Sequence, residues 1–197
     1  MRDWQGTIVL AALFLTATTS TQGATAMTPD RLHEALEWGL SAPETDLEQY
    51  PLRTERTWLI NFDTPFLRVA QFSRAMKIQN TPATDSDVSP KLAGQELHVY
   101  AHARIAAAGG PLPNIDYVVI LRPRPGGAAE TILPTSVQSF VRRVPIDADT
   151  GPTRIARSVK AVFPLGALAA GNEVRLSFEN GGFQTVTITP EALARVR

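Results

Sequence analysis

The chain has 197 residues, its 19 Lys and Arg balance 19 Asp and Glu, and it contains no cysteine. Nucleic-acid binding normally leaves a basic footprint, which the balanced charge lacks. The absence of Cys removes thiol nucleophiles, iron–sulfur clusters and thiolate zinc sites together.

Residues 1–26 read as a secretory signal peptide. Arg2 opens the segment, Ile8 to Leu15 is an unbroken apolar run, and a Thr/Ser-rich stretch leads to the small-x-small site Ala24-Thr25-Ala26. The run is far shorter than the roughly 20 residues a membrane helix needs, so no stable membrane span is expected. A buried N-terminal helix is the alternative. Cleavage near Ala26 places a mature chain of about 170 residues, starting at Met27, in the periplasm or outside the cell. A chain of that size can bury a self-sufficient core without disulfides.

Residues 27–56 read as a helix and linker, and 57–197 as a β domain with an early helix. Thr28 is placed to cap a helix over 28–41, with Pro29 at its first position and Asp30 in its first turn. Leu32, Ala35, Leu36 and Leu40 form its apolar stripe; Trp38 falls off it, toward the linker. A polar connection runs to Tyr50-Pro51-Leu52. Thr57 to Phe62 is a strand, stopped by Asp63-Thr64-Pro65. Either Asp63 or Thr64 caps the next helix, which runs to about Lys77 and whose wide apolar face suits burial against a sheet.

From Gln95 the apolar period becomes two. Leu97, Val99, Ala101, Ala103 and Ile105 alternate with polar residues, as in a half-buried strand, with a helix as the alternative. Further strands follow at 116–121, 130–133 and 137–144. In 154–163, Ile155, Val159, Ala161 and Phe163 share a face. Strands at 173–179 and 185–189 flank the hairpin signal Asn180-Gly181-Gly182, and a short helix starts near Pro190. The expected fold is mainly β with N-terminal helices: an antiparallel immunoglobulin-like β-sandwich preceded by two short helices, with Val119, Phe163, Leu176 and Phe178 in its core.

The segments WLINFDTPFLRVA, ELHVYA, DYVVILRP, ILPTSV and AVFPLGALAAGNEVRLSF resemble exported bacterial proteins known mainly as uncharacterised. The last of these is also similar to the closing strands of secreted immunoglobulin-like modules. The resemblance implies the fold and export but brings no activity and no catalytic residues.

His98, Tyr100 and His102 are the candidate ligand-binding residues. On a strand they share one face and offer both apolar bodies and polar tips. The two imidazoles then stand about 13 Å apart at about 3.3 Å per residue, too far for one metal ion, so no metal and no cofactor is expected. A helix would bring them, with Glu96, into metal-binding range. Asp147-Ala148-Asp149 lacks the later ligands of a calcium loop and reads as a turn. Asp63 sits at a strand end, where capping explains it without chemistry. Ser136, Ser139 and Ser158 have no nucleophile-elbow context, and His33 lies on the first helix. Arg122, Arg124, Arg142 and Arg143 are positioned to meet across a hairpin and bind an anion, or to protect strand edges by charge.

The expected function is an exported, non-catalytic binding or structural module for a protein or small-molecule ligand. The alternative is a periplasmic hydrolase-like or metal-dependent enzyme. The enzyme reading requires at least two of His98, His102, Asp63, Asp116 and Glu96 within hydrogen-bond reach in a concave pocket.

Overall fold

The structure is a computed structural model that describes residues 26–43, 47, 51–53, 58–103, 113–145 and 153–196. The expected signal segment before residue 26, Ile105 and the expected turn at Asp147–Gly151 lie outside the described residues.

Helix α1 spans Pro29–Ser41, and the Thr28 hydroxyl accepts from the Arg31 amide as its cap. Strand β1 (Pro51–Arg53) is a short addition within the expected connection, paired with β2 (Trp58–Asp63). Helix α2 (Pro65–Ile78) is capped by Thr64, whose hydroxyl accepts from the Leu67 amide and donates to the Val196 carbonyl. Capping therefore falls to Thr64, and Asp63 stays in the strand.

Strands β3 (Glu96–Ala103), β4 (Ile115–Arg122), β5 (Glu130–Ile132), β6 (Ser136–Pro145), β7 (Thr153–Pro164), β8 (Glu173–Phe178) and β9 (Phe183–Thr187) follow, and helix α3 (Pro190–Val196) ends the described chain. The strand reading of the His98 segment holds: alternate residues from Leu97 to Ala103 are buried. Gly181, at φ +80°, makes the β8–β9 turn that the Asn-Gly-Gly sequence signals.

All strand pairs are antiparallel. One sheet has the order β1-β2-β3-β7-β6 and the other β5-β4-β8-β9. Both contribute to one core, in which Phe62, Leu97 and Phe163 from the first sheet meet Ile120, Leu176 and Phe178 from the second. Ile188, Ala192 and Val196 join that core from the C-terminal segment.

Val119 is buried as expected, while Val118 and Ile120 are the β4 residues that join the main cluster, after a register shift between Ile115 and Tyr117. Two other expectations are corrected. Ile155 is 74 % exposed, although it shares the inward parity of Val159; Ala156 and Ser158 are buried instead. On that parity Arg157 pairs with Glu179 at 3.0 Å, just past the end of β8, while Ala156 joins the core from the opposite parity. Finally, α2 packs chiefly on α1 rather than on a sheet. Ala35, Leu36, Phe66 and Val69 form a second apolar cluster, and Trp38 leans on Phe66 at 5.7 Å between ring centroids. Gly39 permits this contact: a Cβ there would stand 2.2 Å from the Ala70 carbonyl oxygen.

Candidate functional site

Strand periodicity and register build a polar face on the outer side of the five-stranded sheet. Directly opposed residues of antiparallel strands point the same way. Asp63 lies opposite His98, Asn61 opposite Tyr100, and Leu59 opposite His102. On the other side of β3, Tyr100 lies opposite Lys160, and Lys160 opposite Gln138 of β6. His98, Tyr100 and His102 therefore share one face, half-buried, with Asn61, Asp63, Ser158 and Lys160 around them.

Asp63 is the best-anchored member. Its Oδ2 lies 3.3 Å from Nδ1 of His98 and 3.8 Å from Nη1 of Arg68. Arg68 in turn donates to the backbone carbonyls of Asp63, Leu92, Gly94 and Glu96. One guanidinium thus ties the end of β2 to the approach and first residue of β3, fixing the Asp63–His98 pair. Glu96 Oε2 lies 3.6 Å from the other ring nitrogen of His98. The imidazole stands between two carboxylates that approach from opposite sides, so its nitrogens are turned to different partners rather than to a common centre. Among the described residues, no group of three His, Asp or Glu side chains is arranged to hold a metal ion.

Tyr100 has the Lys160 ammonium 5.6 Å from its ring centroid and meets the His98 ring edge-on at 6.5 Å. His102 is held below the ordinary histidine range, first by burial and second by the nearby Arg142 charge.

Three buried polar atoms without a hydrogen-bond partner belong to residues of this face: Oδ1 of Asn61, Oδ1 of Asp63 and Oγ of Ser158. An unsatisfied buried polar group costs about 1–3 kcal/mol, so each of the three calls for a partner that water or a ligand would supply.

The remaining sequence candidates separate. His33 lies on α1, 3.2 Å from Glu37 and 3.8 Å from Asp85. Asp116 is exposed on β4 in the other sheet. The four arginines do not form one cluster: Arg122 and Arg124 both hold Glu130, at 3.5 and 2.9 Å, while Arg142 sits near His102 on the first sheet. A depression of about 480 Å³ is lined by Arg122, Pro123, Gly166 and 169–172, and none of His98, Tyr100 and His102 reaches it. Asn61 and Lys160 were missed in the sequence. The signal available was parity alone, since both alternate with core residues on their strands.

No protein-family model and no curated protein matches this sequence. A crystal structure of a novel protein of unknown function from Burkholderia pseudomallei is similar, at 13 % identity and a TM-score of 0.37, over 89 % of this chain and 97 % of that one. Among the described residues, no helix is long and apolar enough to cross a membrane.

Proposed function

We propose that the protein is an exported, non-catalytic binding module of immunoglobulin-like sandwich kind, and that its ligand lies on the outer face of the five-stranded sheet. The supporting observation is the set of unpaired buried atoms of Asn61, Asp63 and Ser158 on the face that carries His98, Tyr100 and His102. Two of those atoms are pure acceptors, so the matching ligand brings hydrogen-bond donors such as hydroxyl or amino groups. Tyr100 adds an apolar surface against which such a ligand packs. Export follows from the Ile8–Leu15 run and the Ala24-Thr25-Ala26 site.

Binding is tested by thermal shift with a small-molecule extract of the extracytoplasmic space, on the mature chain and on a Tyr100→Ala, His102→Ala variant. A ligand specific to the folded state raises the melting temperature of the first and not of the second. Equal shifts, or none, reject the face as the site. N-terminal sequencing of extracytoplasmic protein is expected to begin at Met27, and recovery of Met1 from the cytoplasm rejects export.

The enzyme reading has one observation in its favour. Asp63, His98 and Glu96 form a carboxylate–imidazole–carboxylate group, as a general base with an orienting partner requires.

A further inference from the structure

Strand β6 breaks the rule that a strand of a two-sheet fold buries one of its faces. Every residue from Ser136 to Arg143 is exposed, on both parities. Val137, Phe140 and Val141 are 45, 41 and 73 % exposed, and Ile155, opposite Arg143 on β7, adds to the same apolar surface as Val137 and Val141. Pairing with β7 continues in register over all ten residues. Among the described residues β6 ends its sheet, so the hydrogen-bonding groups of its outer edge have no strand beside them. An edge of this length and regularity is a template for another extended chain.

Charge at this edge selects the partner. Arg122 and Arg124 hold Glu130, and Arg157 holds Glu179. Arg142 and Arg143 stand on adjacent, opposite-facing positions of β6, with no carboxylate in ion-pair contact among the described residues. Side chains of an added strand line up with those of the strand it joins, so carboxylates on that strand meet these guanidiniums on both faces. We infer that the free edge of β6 takes up an extended acidic peptide segment of another protein by strand addition, with apolar residues against Val137, Phe140 and Val141 and acidic residues against Arg142 and Arg143. Phe140 and Arg142 lie on the same side of the sheet as His98, opposite Ser158 and beside His102, but strand pairing uses the outer edge of β6 and does not require a ligand on that face.

The probe is a labelled ten-residue peptide of alternating valine and threonine, with a valine also placed opposite Phe140 and two adjacent glutamates placed to face Arg142 and Arg143. Binding to the mature protein is followed by fluorescence anisotropy. The expected result is binding that weakens with salt, falls roughly tenfold or more when lysines replace the glutamates, and is lost when alternate amides are N-methylated. The exposed-site variant R142E/R143E, shown folded by a cooperative melting curve, is expected to prefer the lysine peptide. No binding at about 1 mM overturns the proposal. So does equal binding of the N-methylated peptide, which shows attraction without strand pairing. Sedimentation that instead shows a dimer of the mature chain, abolished by R142E/R143E, also overturns it, because the occupant is then a second copy.

Discussion

His102 illustrates how a single side chain couples this fold to pH. Burial, and then the Arg142 charge, lower its pKa below the ordinary histidine value of about 6.5. Between the lowered value and about 6.5 the unfolded chain binds a proton that the folded chain refuses, so stability rises with pH across that window. The contribution is complete above about 6.5 and is lost as pH falls through the folded-state value. Asp87, Glu130 and Glu191 are also lowered, by their hydrogen bonds, and act only in the more acid carboxylate range. Denaturant melts from neutral pH to pH 5 should therefore slope less in His102→Gln than in the wild type; an unchanged slope assigns the dependence to another group. Phe178 is the corresponding apolar case. It is buried, lies 5.5 Å from the Trp58 ring and joins β8 to β2 across the core. Phe178→Ala should destabilise the protein by about 3–5 kcal/mol in denaturant melts. A loss below about 1 kcal/mol would mean that the core closes without this ring.

Among the elements, α1 and α2 depend on one missing side chain. Gly39 lets the helices approach until its Cα faces the Ala70 backbone, and Ser73 and Arg74 then donate to carbonyls of α1, at Leu36 and Gly39. Alanine is ordinarily the better helix former, by about 1 kcal/mol. Here Gly39→Ala should instead destabilise by about 1–3 kcal/mol, since the new methyl meets backbone rather than a side chain that can move. A stabilising result in thermal melts would show that the helices separate at little cost. The helices themselves were legible: Thr28 and Thr64, each followed by Pro, marked both starts. Which face met which partner was not. The wide apolar face of α2 is equally consistent with a sheet and with another helix, and only the position of α1 distinguishes them.

At the scale of the whole molecule, the C-terminal segment closes the core that the sheets begin. Ala192 and Val196 pack into it, and the Val196 carbonyl receives the buried Thr64 hydroxyl at 2.6 Å. Removing residues 190–197 should lower stability by about 2–4 kcal/mol, from lost apolar burial and an unpaired Thr64 hydroxyl, and lower the melting temperature accordingly. An unchanged melting temperature would show that α3 is dispensable.

The sequence by itself determined the class of structure. Period-two alternation, Thr-Pro helix starts and Gly-containing turns are local, and apart from the short β1 they located the strands and helices to within a residue or two. Shared parity likewise placed His98, Tyr100 and His102 on one face. Tertiary structure decided what alternation leaves open. Two faces are distinguishable in a strand, but which of them is covered depends on what the rest of the chain packs over it; Ile155 is exposed and β6 is exposed on both sides from Ser136 to Arg143. Asp63 became the partner of His98 and Arg68 rather than a helix cap because β2 and β3, far apart in sequence, pair in one register. That register, set by the whole sheet and not by neighbouring residues, assembled the candidate site.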